Sequence, residues 1–445
     1  MENIGIIHNI LHNKTYFIET YGCQMNVYDS ELVASFLEKS GYQSTSDYNK
    51  ADVIFLNTCS IRDNAENTVH RKLENLAHLK RQNPKMMIGV LGCMAQNLKN
   101  DLMESKPYVD VILGPDSYRK IPEILESRNK TNGHFVDTKL SKFEIYEDLF
   151  PTRKSGVNAW VSIMRGCDKF CTFCIVPFTR GRERSRTIDN IVKEVEACIK
   201  QGFIEITLLG QNVNSYRTPD GEFPDLLEAV SKIKGLKRLR YTSPHPRDID
   251  DHLLNVMQKN KNICNHIHLP LQAGSDRILK RMNRTYSKKE FLDLVIKIKK
   301  YLPDCSITTD IIVGFPGETE EEFLDTLEVA EKVMFDNSFM FKYSSRPGTK
   351  AAGYTDHIDE KVKQNRLERY IALQKILTLK NNQFKIGKTF EVLVEKESKK
   401  SADQWAGRLD GNMWVVFDKT NENIKDLVKV RILDTKGITL FGERV

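Results

Sequence analysis

The stretch Met164-Arg165-Gly166-Cys167-Asp168-Lys169-Phe170-Cys171-Thr172-Phe173-Cys174 carries three cysteines with the spacing Cys-x3-Cys-x2-Cys. The triplet supplies three thiolates, and the sequence offers no fourth ligand within reach. A cubane iron–sulfur cluster that is held by three protein thiolates keeps one iron open, and an open iron can chelate a small molecule. The spacing therefore predicts a cluster that does more than carry electrons.

Zinc and disulfide bonds are weaker interpretations of these cysteines. A structural zinc site closes four ligands, and no histidine lies near the triplet. Nine cysteines in 445 residues are a low density for a disulfide framework. The sequence begins without a signal segment and has no apolar run that could span a bilayer, so a cytoplasmic protein is expected.

Length and composition limit the kind of protein. A chain of 445 residues is too long for one ordinary core and predicts two or three domains. Hydrophobic residues at 40% and charged residues at 29% are typical of a globular protein. The formal charge of +7 suits a polyanionic partner, although many basic surfaces are only solvated.

The first predicted domain, residues 14–130, alternates short apolar segments with stretches of helical periodicity. Strand alternating with helix predicts an open parallel α/β sheet. The predicted strands are 16–19, 53–57, 87–91 and 109–113. The polar run 127–133 is interpreted as the linker that closes this domain.

Two further domains are expected at 153–382 and 383–445. The second domain repeats the alternation, with six strands predicted at 159–164, 205–209, 238–242, 265–269, 306–313 and 338–343. Six strand–helix units predict a partial (β/α)6 barrel, with its site at the carboxyl ends of the strands. The third domain alternates apolar and polar residues between turns, which predicts a small antiparallel β-barrel.

Three more cysteines, Cys23, Cys59 and Cys93, each follow a predicted strand of the first domain. Because parallel strands share one carboxyl edge, we expect these thiols to converge there and to form a second metal centre with three ligands. Gly22 and Gly92 would allow the backbone to approach a bulky group. The alternative is that these cysteines are buried and inert, which is how we interpret Cys198, Cys264 and Cys305.

The spacing of Cys167, Cys171 and Cys174 resembles that of the radical S-adenosylmethionine (SAM) enzymes. The segments Tyr16-Phe17-Ile18-Glu19-Thr20-Tyr21-Gly22-Cys23-Gln24-Met25-Asn26 and Gly89-Val90-Leu91-Gly92-Cys93-Met94-Ala95-Gln96 resemble the amino-terminal domain of the methylthiotransferases. The likeness covers nearly the whole chain and includes 56–66, 177–186, 209–216, 243–246, 268–275 and 309–319. The last domain resembles the RNA-binding TRAM barrel. Departures from the family pattern at Arg165, Asp168 and Phe178 involve no expected ligand.

The resemblance implies an enzyme with two 4Fe-4S clusters. Cys167, Cys171 and Cys174 would bind the cluster that cleaves SAM to a radical, and Cys23, Cys59 and Cys93 the auxiliary cluster that carries the sulfur. One SAM would methylate that sulfur and a second would supply the radical. The implied reaction replaces the C2 hydrogen of N6-isopentenyladenosine, next to the tRNA anticodon, with a methylthio group. An aromatic C–H offers no acidic proton, so acid–base catalysis cannot begin this reaction.

The resemblance also implies partners and binding residues. The expected partners are the tRNA anticodon stem-loop, an electron donor protein and a sulfur donor, with a monomeric enzyme and no membrane. Polar residues at predicted barrel strand ends could hold SAM or the target base, unless they only line solvated loops. They are Gln211, Asn212, Ser243, Gln272 and Asp310, with Arg284 nearby.

Four alternating arginines, Arg180, Arg182, Arg184 and Arg186, follow the triplet and are predicted to contact RNA. The alternative is a solvated charged face. We also expect the strand ends of the first domain to face the mouth of the barrel. Two rival functions share the same motifs: a methylthiotransferase for threonylcarbamoyladenosine in tRNA or for a ribosomal protein, and a non-catalytic, metal-stabilised RNA-binding protein. The sequence of residues 57–66 resembles the branch of the family that acts on isopentenyladenosine, and it favours that branch.

Overall fold

The computed structural model of the protein describes residues 14–59, 63–127 and 133–445. These residues form two compact units. The first contains the described residues up to Lys154, together with Trp160–Asp168 and Ile175–Arg186. The second contains Ser155–Ala159, Lys169–Cys174 and Thr187–Val445. The three domain boundaries expected from the sequence stay predictions.

The first unit is built on a six-stranded sheet in the order β2-β1-β3-β4-β5-β6, and every ladder in it is parallel. Its strands are β1 (Thr15–Thr20), β2 (Gln43–Ser44), β3 (Val53–Thr58), β4 (Met87–Gly92), β5 (Val111–Leu113) and β6 (Phe135–Asp137). The four predicted strands and their parallel arrangement are confirmed. The sheet gains β6 beyond the predicted linker, of which 128–132 lie outside the described residues.

Helices cover both faces of this sheet, and for that reason every residue of β3 and β4 is buried. One core packs Leu32, Phe55 and Tyr146 together, and the other packs Ile54, Leu73 and Ile88. The helices of this unit are α1 (Gln24–Lys39), α2 (Asp63–Gln82), α3 (Cys93–Ser105), α4 (Ile121–Ser127) and α5 (Val176–Arg180).

Six further strands form two three-stranded sheets, β7-β10-β13 and β14-β15-β16. They are β7 (Asn158–Ser162), β10 (Glu205–Leu209), β13 (Arg238–Tyr241), β14 (His266–His268), β15 (Ser306–Val313) and β16 (Asn337–Lys342). A parallel bridge joins Leu239 of β13 to Ile263, in the segment that leads into β14. The six predicted strands of a partial barrel are therefore confirmed. Two short antiparallel ladders join β8 (Met164–Arg165) to β9 (Arg184–Ser185) and β11 (Arg217–Thr218) to β12 (Gly221–Glu222).

Amphipathic helices follow these strands, and their starting points are encoded locally. Ser287 and Glu290 cap each other at the start of α10, and Thr319 and Glu322 do the same at the start of α11. The helices of this unit are α6 (Ile188–Lys200), α7 (Phe223–Ser231), α8 (Asp251–Lys259), α9 (Asp276–Arg281), α10 (Lys288–Tyr301), α11 (Glu320–Val333) and α12 (Glu360–Gln383). Short 3-10 helices occur at Tyr48–Lys50, Tyr118–Lys120, Val213–Ser215, Pro246–Asp248 and Lys350–Gly353.

The last five strands form a closed barrel in the order β17-β18-β19-β21-β20. They are β17 (Thr389–Glu397), β18 (Gln404–Leu409), β19 (Trp414–Asp418), β20 (Leu427–Lys436) and β21 (Thr439–Arg444). The ladder between β19 and β21 is parallel, and the others are antiparallel as predicted. The sequence predicts strands at 389–395, 413–417, 427–433 and 439–441 and so misses β18, where Gly407 and Arg408 interrupt the apolar alternation. Gly407 is packed closely, since a Cβ there would lie 2.2 Å from the Leu393 carbonyl oxygen.

The cysteines that we interpreted as packing residues are buried, with 0% exposure at Cys198, 4% at Cys264 and 1% at Cys305. Their assignment to the core is confirmed. Among the described residues, no helix is both long and apolar enough to cross a membrane.

Candidate functional site

The first cysteine triad assembles at one edge of the six-stranded sheet. Cys23 is the N-cap of α1, Cys59 directly follows β3, and Cys93 is the first residue of α3. The thiols of Cys23 and Cys59 are joined by a hydrogen bond. Cys93 lies close enough to Cys23 for the two thiolates to repel each other electrostatically. The predicted convergence of the three thiols is confirmed, and their role as metal ligands stays a prediction.

Two glycines make this convergence possible. Gly92 has a φ of +88°, and a Cβ there would lie 2.5 Å from Oδ1 of Asn57 and 2.6 Å from the carbonyl oxygen of Thr58. Gly22 has a φ of +131°, and its Cβ would lie 2.5 Å from the Cβ of Cys59. Any side chain at either position would be strained and would push the thiol segments apart.

A buried pair of asparagines fixes the cysteine-bearing turns. The Cys23 thiol donates to Oδ1 of Asn26 at 3.3 Å, and Nδ2 of Asn26 donates to Oδ1 of Asn57 at 3.2 Å. Nδ2 of Asn57 donates in return to the Asn26 carbonyl at 2.8 Å and to Oγ of Ser30 at 2.9 Å. Sequence reasoning missed both asparagines; their signal is the placement of Asn57 two residues before Cys59 and of Asn26 three residues after Cys23.

Arg180 brings a positive charge to the triad. Its guanidinium lies close enough to Cys93 and Cys23 for its positive charge to favour their thiolate forms. Nη2 of Arg180 donates to Asp29 at 2.8 Å, and Nη1 of Arg165 donates to the other oxygen of the same carboxylate at 2.9 Å. Arg165 and Asp29 are buried, so each charge depends on its partners. This chain of ion pairs connects the first triad to the segment that leads into Cys167.

The RNA-contact prediction is wrong for three of the four alternating arginines. Arg180, Arg184 and Arg186 are only 3%, 8% and 1% exposed. Arg184 is paired with Asp116 at 2.8 Å, and Arg186 donates to the Ser162 carbonyl at 2.7 Å. Asp29 and Asp116, which pair with Arg180 and Arg184, are distant in sequence, so the local charge run does not reveal them.

Arg182 is the exposed member of this arginine run. Its side chain is 70% accessible and pairs with Asp168 at 2.6 Å. The prediction that Arg182 contacts RNA therefore stays open.

The thiols of the first triad differ in acidity. The hydrogen bond from Cys59, aided by the positive charge of Arg180, lowers the pKa of Cys23 to about 6. Burial raises the pKa of the Cys93 thiol, although Arg180 opposes that shift. The lowered pKa of Cys23 favours the thiolate, which is the form that binds metals.

The second triad lies in a constrained loop. Gly166 has a φ of +79°, and its Cβ would meet the Arg182 carbonyl oxygen at 2.0 Å. The Cys167 amide donates to the Gly181 carbonyl at 3.1 Å, and the Cys174 amide donates to the Cys171 carbonyl at 3.0 Å. Nη1 of Arg284 donates to the Cys171 sulfur at 3.3 Å. The loop is thus oriented by the backbone in its first part and by Arg284 at Cys171.

The three thiols of the first triad are the ligand type that an iron–sulfur cluster takes. Among the described residues, no three His, Cys, Asp or Glu side chains converge as ligands of one metal ion. A cubane cluster that is held by three thiolates keeps its fourth iron open. Three thiols that share one sheet edge match this number of ligands.

Two polar residues beyond β10 carry acceptors without partners. Asn212 is 2% exposed, and its Nδ2 donates to Asp248 at 3.4 Å. Oδ1 of Asn212 and Oε1 of Gln211 are buried and have no hydrogen-bond partner among the described residues. Because an unsatisfied buried acceptor costs free energy, these two oxygens fit a ligand that brings N–H or O–H donors.

Three other predicted binding residues lie at the barrel strands, Gln272 and Asp310 at β15 and Ser243 just beyond β13. Gln272 has a φ of +71°, and its backbone N–H donates to the backbone carbonyl of Asp310 at 2.9 Å. The Asp310 carboxylate pairs with His268 at 3.2 Å. Ser243, just beyond β13, has a φ of +55°, and such strained non-glycine residues cluster at functional sites.

Arg284 has two further contacts besides the one to Cys171. Its Nε donates to the Tyr286 hydroxyl at 2.9 Å, and its Nη2 donates to the Pro270 carbonyl at 3.3 Å. Arg284 therefore holds the Cys171 sulfur to the segment that precedes Gln272. The binding roles expected for the six polar residues stay predictions.

Three family models match successive parts of the chain. Residues 15–114 match the Uncharacterized protein family UPF0004, residues 161–330 match the Radical SAM superfamily, and residues 383–445 match the TRAM domain.

Full-length relatives share one name. The chain is 48% identical over 458 residues to the tRNA-2-methylthio-N(6)-dimethylallyladenosine synthase of Porphyromonas gingivalis, covering 100% of this chain and 98% of the relative. It is 48% identical over 441 residues to the protein of the same name from Bacteroides thetaiotaomicron, covering 97% and 96%.

A solved structure shares the fold at low identity. The radical S-adenosylmethionine methyltransferase TsrM of Kitasatospora setae, solved with cobalamin and a 4Fe-4S cluster, matches with a TM-score of 0.59 and 12% identity. The match covers 76% of this chain and 77% of that chain. At this identity the likeness shows the fold alone.

Proposed function

Because the chain belongs to the tRNA-2-methylthio-N6-dimethylallyladenosine synthases, a family of radical SAM transferases, we propose that it converts N6-isopentenyladenosine in tRNA to its 2-methylthio derivative. The modified base would lie next to the anticodon. The observation that carries this proposal is that the first triad, Cys23, Cys59 and Cys93, gathers beside the guanidinium of Arg180 in the same compact unit as Cys167. Sulfur transfer needs such a second centre, and SAM cleavage alone does not.

Membership of the radical SAM superfamily implies one 4Fe-4S cluster and SAM. Cys167, Cys171 and Cys174 would hold this cluster, which when bound supplies the electron that makes SAM reactive toward a C–H bond. Arg284 would orient the Cys171 sulfur through its hydrogen bond of 3.3 Å. The orphan oxygens of Gln211 and Asn212 would accept from N–H or O–H groups of SAM or of the target base.

We assign Cys23, Cys59 and Cys93 to the auxiliary 4Fe-4S cluster that carries the sulfur. Asn26 and Asn57 would keep the cysteine turns rigid through their mutual hydrogen bonds. Arg180 would offset part of the negative charge that three thiolates bring to this edge of the sheet. One SAM would methylate the transferred sulfur, and a second would provide the radical.

The partners follow from the same proposal. The match of residues 383–445 to the TRAM domain supports tRNA as the substrate, with the anticodon stem-loop as the recognised part. An electron donor protein and a sulfur donor would serve a monomeric enzyme in the cytoplasm. The target adenosine would have to leave the base stack to be attacked.

Nucleoside mass spectrometry tests the proposal directly. Isopentenylated tRNA is incubated anaerobically with the reconstituted protein, SAM, a reductant and a sulfide source. We expect the 2-methylthio nucleoside to appear. Formation of 5′-deoxyadenosine without this product would keep the radical chemistry and reject the proposed substrate.

A further inference from the structure

A cationic cavity of ≈ 480 Å³ lies beside the loop of the second cysteine triad, within the second compact unit. Its lining residues are Phe170, Thr172, Arg277, Lys280, Arg281, Asn283, Lys350 and Tyr354. Phe170 and Thr172 flank Cys171 in the sequence, so the cavity begins one residue away from an expected cluster ligand. Four of the eight lining side chains are cations.

Two of these cations already have carboxylate partners. Arg277 pairs with Glu322 at 2.6 Å, and Arg281 pairs with Asp356 at 2.8 Å. Lys280 and Lys350 are exposed, and no carboxylate of the described residues pairs with either. The cavity therefore presents two uncompensated positive charges to an incoming ligand, which selects for an anion.

The aromatic part of the cavity is held in a strained conformation. Phe170 has a φ of +46° and is 42% exposed, although it is a large apolar residue. Nδ2 of Asn283 donates to the carbonyl oxygens of Lys169 and Phe170 at 3.0 Å each, and Asn283 itself has a φ of +58°. Strained backbone that is held by specific hydrogen bonds is typical of ligand clamps. Across the cavity, the guanidinium of Arg281 stacks 4.7 Å from the ring centre of Tyr354.

We propose that this cavity binds single-stranded RNA of the anticodon loop, with Lys280 and Lys350 on backbone phosphates and the Phe170 ring stacked on an unpaired base. Uncompensated lysines beside an exposed aromatic ring are the combination that recognises single-stranded nucleic acid. The proposal rests on the proposed function and deepens it, because it places the RNA next to Cys171. It also moves the main RNA contact away from the buried arginines, which cannot reach a phosphate.

The test measures binding of an isopentenylated anticodon stem-loop to the reconstituted full-length protein over a range of salt concentrations. For Lys280→Gln combined with Lys350→Gln, we expect the slope of log affinity against log salt to fall by about 1.4, since each phosphate contact on a single strand contributes about 0.7. For Phe170→Leu, we expect binding to weaken about 5- to 150-fold with an unchanged slope, because stacking is lost and no charge is removed.

The matched control is Lys193→Gln combined with Lys232→Gln, which removes the same charge from two lysines that are 62% and 67% exposed and lie outside the cavity. The proposal requires that this control keep the wild-type slope. An unchanged slope in the Lys280 and Lys350 double variant, or an equal fall in the control, would overturn it. A raised KM for SAM with unchanged RNA binding would also overturn it, by assigning the cavity to SAM.

Failure here can be told apart from failure of the proposed function. If the cavity does not bind RNA, the wild-type enzyme still forms the 2-methylthio nucleoside. If the function is wrong, that product is absent. Iron content and 5′-deoxyadenosine formation without RNA check that the variants are folded, and we expect both to stay at wild-type levels.

Discussion

The two cysteine triads are held in contrasting ways. Cys23, Cys59 and Cys93 come from three separate turns, and the parallel sheet brings them together. Cys167, Cys171 and Cys174 come from one loop and are all partly exposed, whereas Cys59 and Cys93 are buried. A local loop can be recognised from its spacing alone, but a site at a sheet edge exists only once the fold is correct. The first triad should therefore be more sensitive to changes in packing, and the second to changes in the loop.

The largest effect is expected from removing one cysteine of either triad. Cys59→Ala and Cys171→Ala should each lower the iron content by about four per chain and abolish formation of the methylthio nucleoside. Only Cys59→Ala should keep reductive cleavage of SAM, because its loop triad is intact. Iron analysis together with 5′-deoxyadenosine quantification measures both results.

Cys198→Ala is the matched control, since Cys198 is a buried cysteine of α6 outside both triads. It should keep the full iron content. Loss of SAM cleavage in Cys59→Ala would show that the two triads do not hold independent centres.

The next largest effect is a difference in stability between a variant of the buried Arg180 and a variant of the exposed Arg182. Arg180→Met leaves the buried carboxylate of Asp29 with Arg165 alone, and loss of one partner of a buried ion pair costs about 3–5 kcal/mol in the free energy of unfolding. Arg182→Met removes an ion pair whose arginine is 70% exposed, and it should cost at most about 1 kcal/mol. Urea titration of both variants measures the difference, and equal values would contradict the assignment of Arg180 to the interior.

These arginines show what sequence could and could not provide. The cysteines and the parallel strands were predictable, because strand periodicity and position at the strand end are local signals. The burial of Arg184 was not predictable, because its partner Asp116 is 68 residues away in the sequence. The hydrogen bonds between Asn26 and Asn57 were missed for the same reason, since they join two different turns. Whether a polar side chain is buried or exposed thus depends on partners that are distant in sequence, which local patterns do not show.

A smaller effect tests the backbone at the first triad. Gly92→Ala should cost about 1–3 kcal/mol, because alanine is strained at a φ of +88° and its Cβ would contact Asn57 and the Thr58 carbonyl. Iron binding at the first triad should fall, while SAM cleavage at the second continues. Gly133→Ala is the control, since a Cβ there meets nothing within 4 Å. Equal stability of the two variants by thermal unfolding would show that the Gly92 turn can relax.

The smallest effect near neutral pH is a pH dependence at His245, next to the arginine that contacts Cys171. Burial, with the positive charge of Arg284 nearby, lowers the pKa of His245 to about 2. The folded protein therefore keeps this histidine neutral, whereas the unfolded chain takes up a proton below about pH 6.5. The unfolded state binds more protons in this range, so the free energy of unfolding should fall as the pH drops from about 6.5 toward 2, by up to about 1.4 kcal/mol per pH unit.

His245→Asn isolates this contribution, because asparagine does not titrate and can still accept the Arg247 amide that Nδ1 of His245 accepts at 3.3 Å. The difference in unfolding free energy between wild type and variant is measured by urea titration at about pH 7.5 and about pH 5.5. Over this interval the wild type should lose about 1.4 kcal/mol more than the variant. A constant difference would mean that His245 takes up its proton in the folded state as easily as in the unfolded chain. The surroundings of His245 would then be as open to water as the partly exposed cysteines of the second triad, in contrast to the buried Cys59 and Cys93.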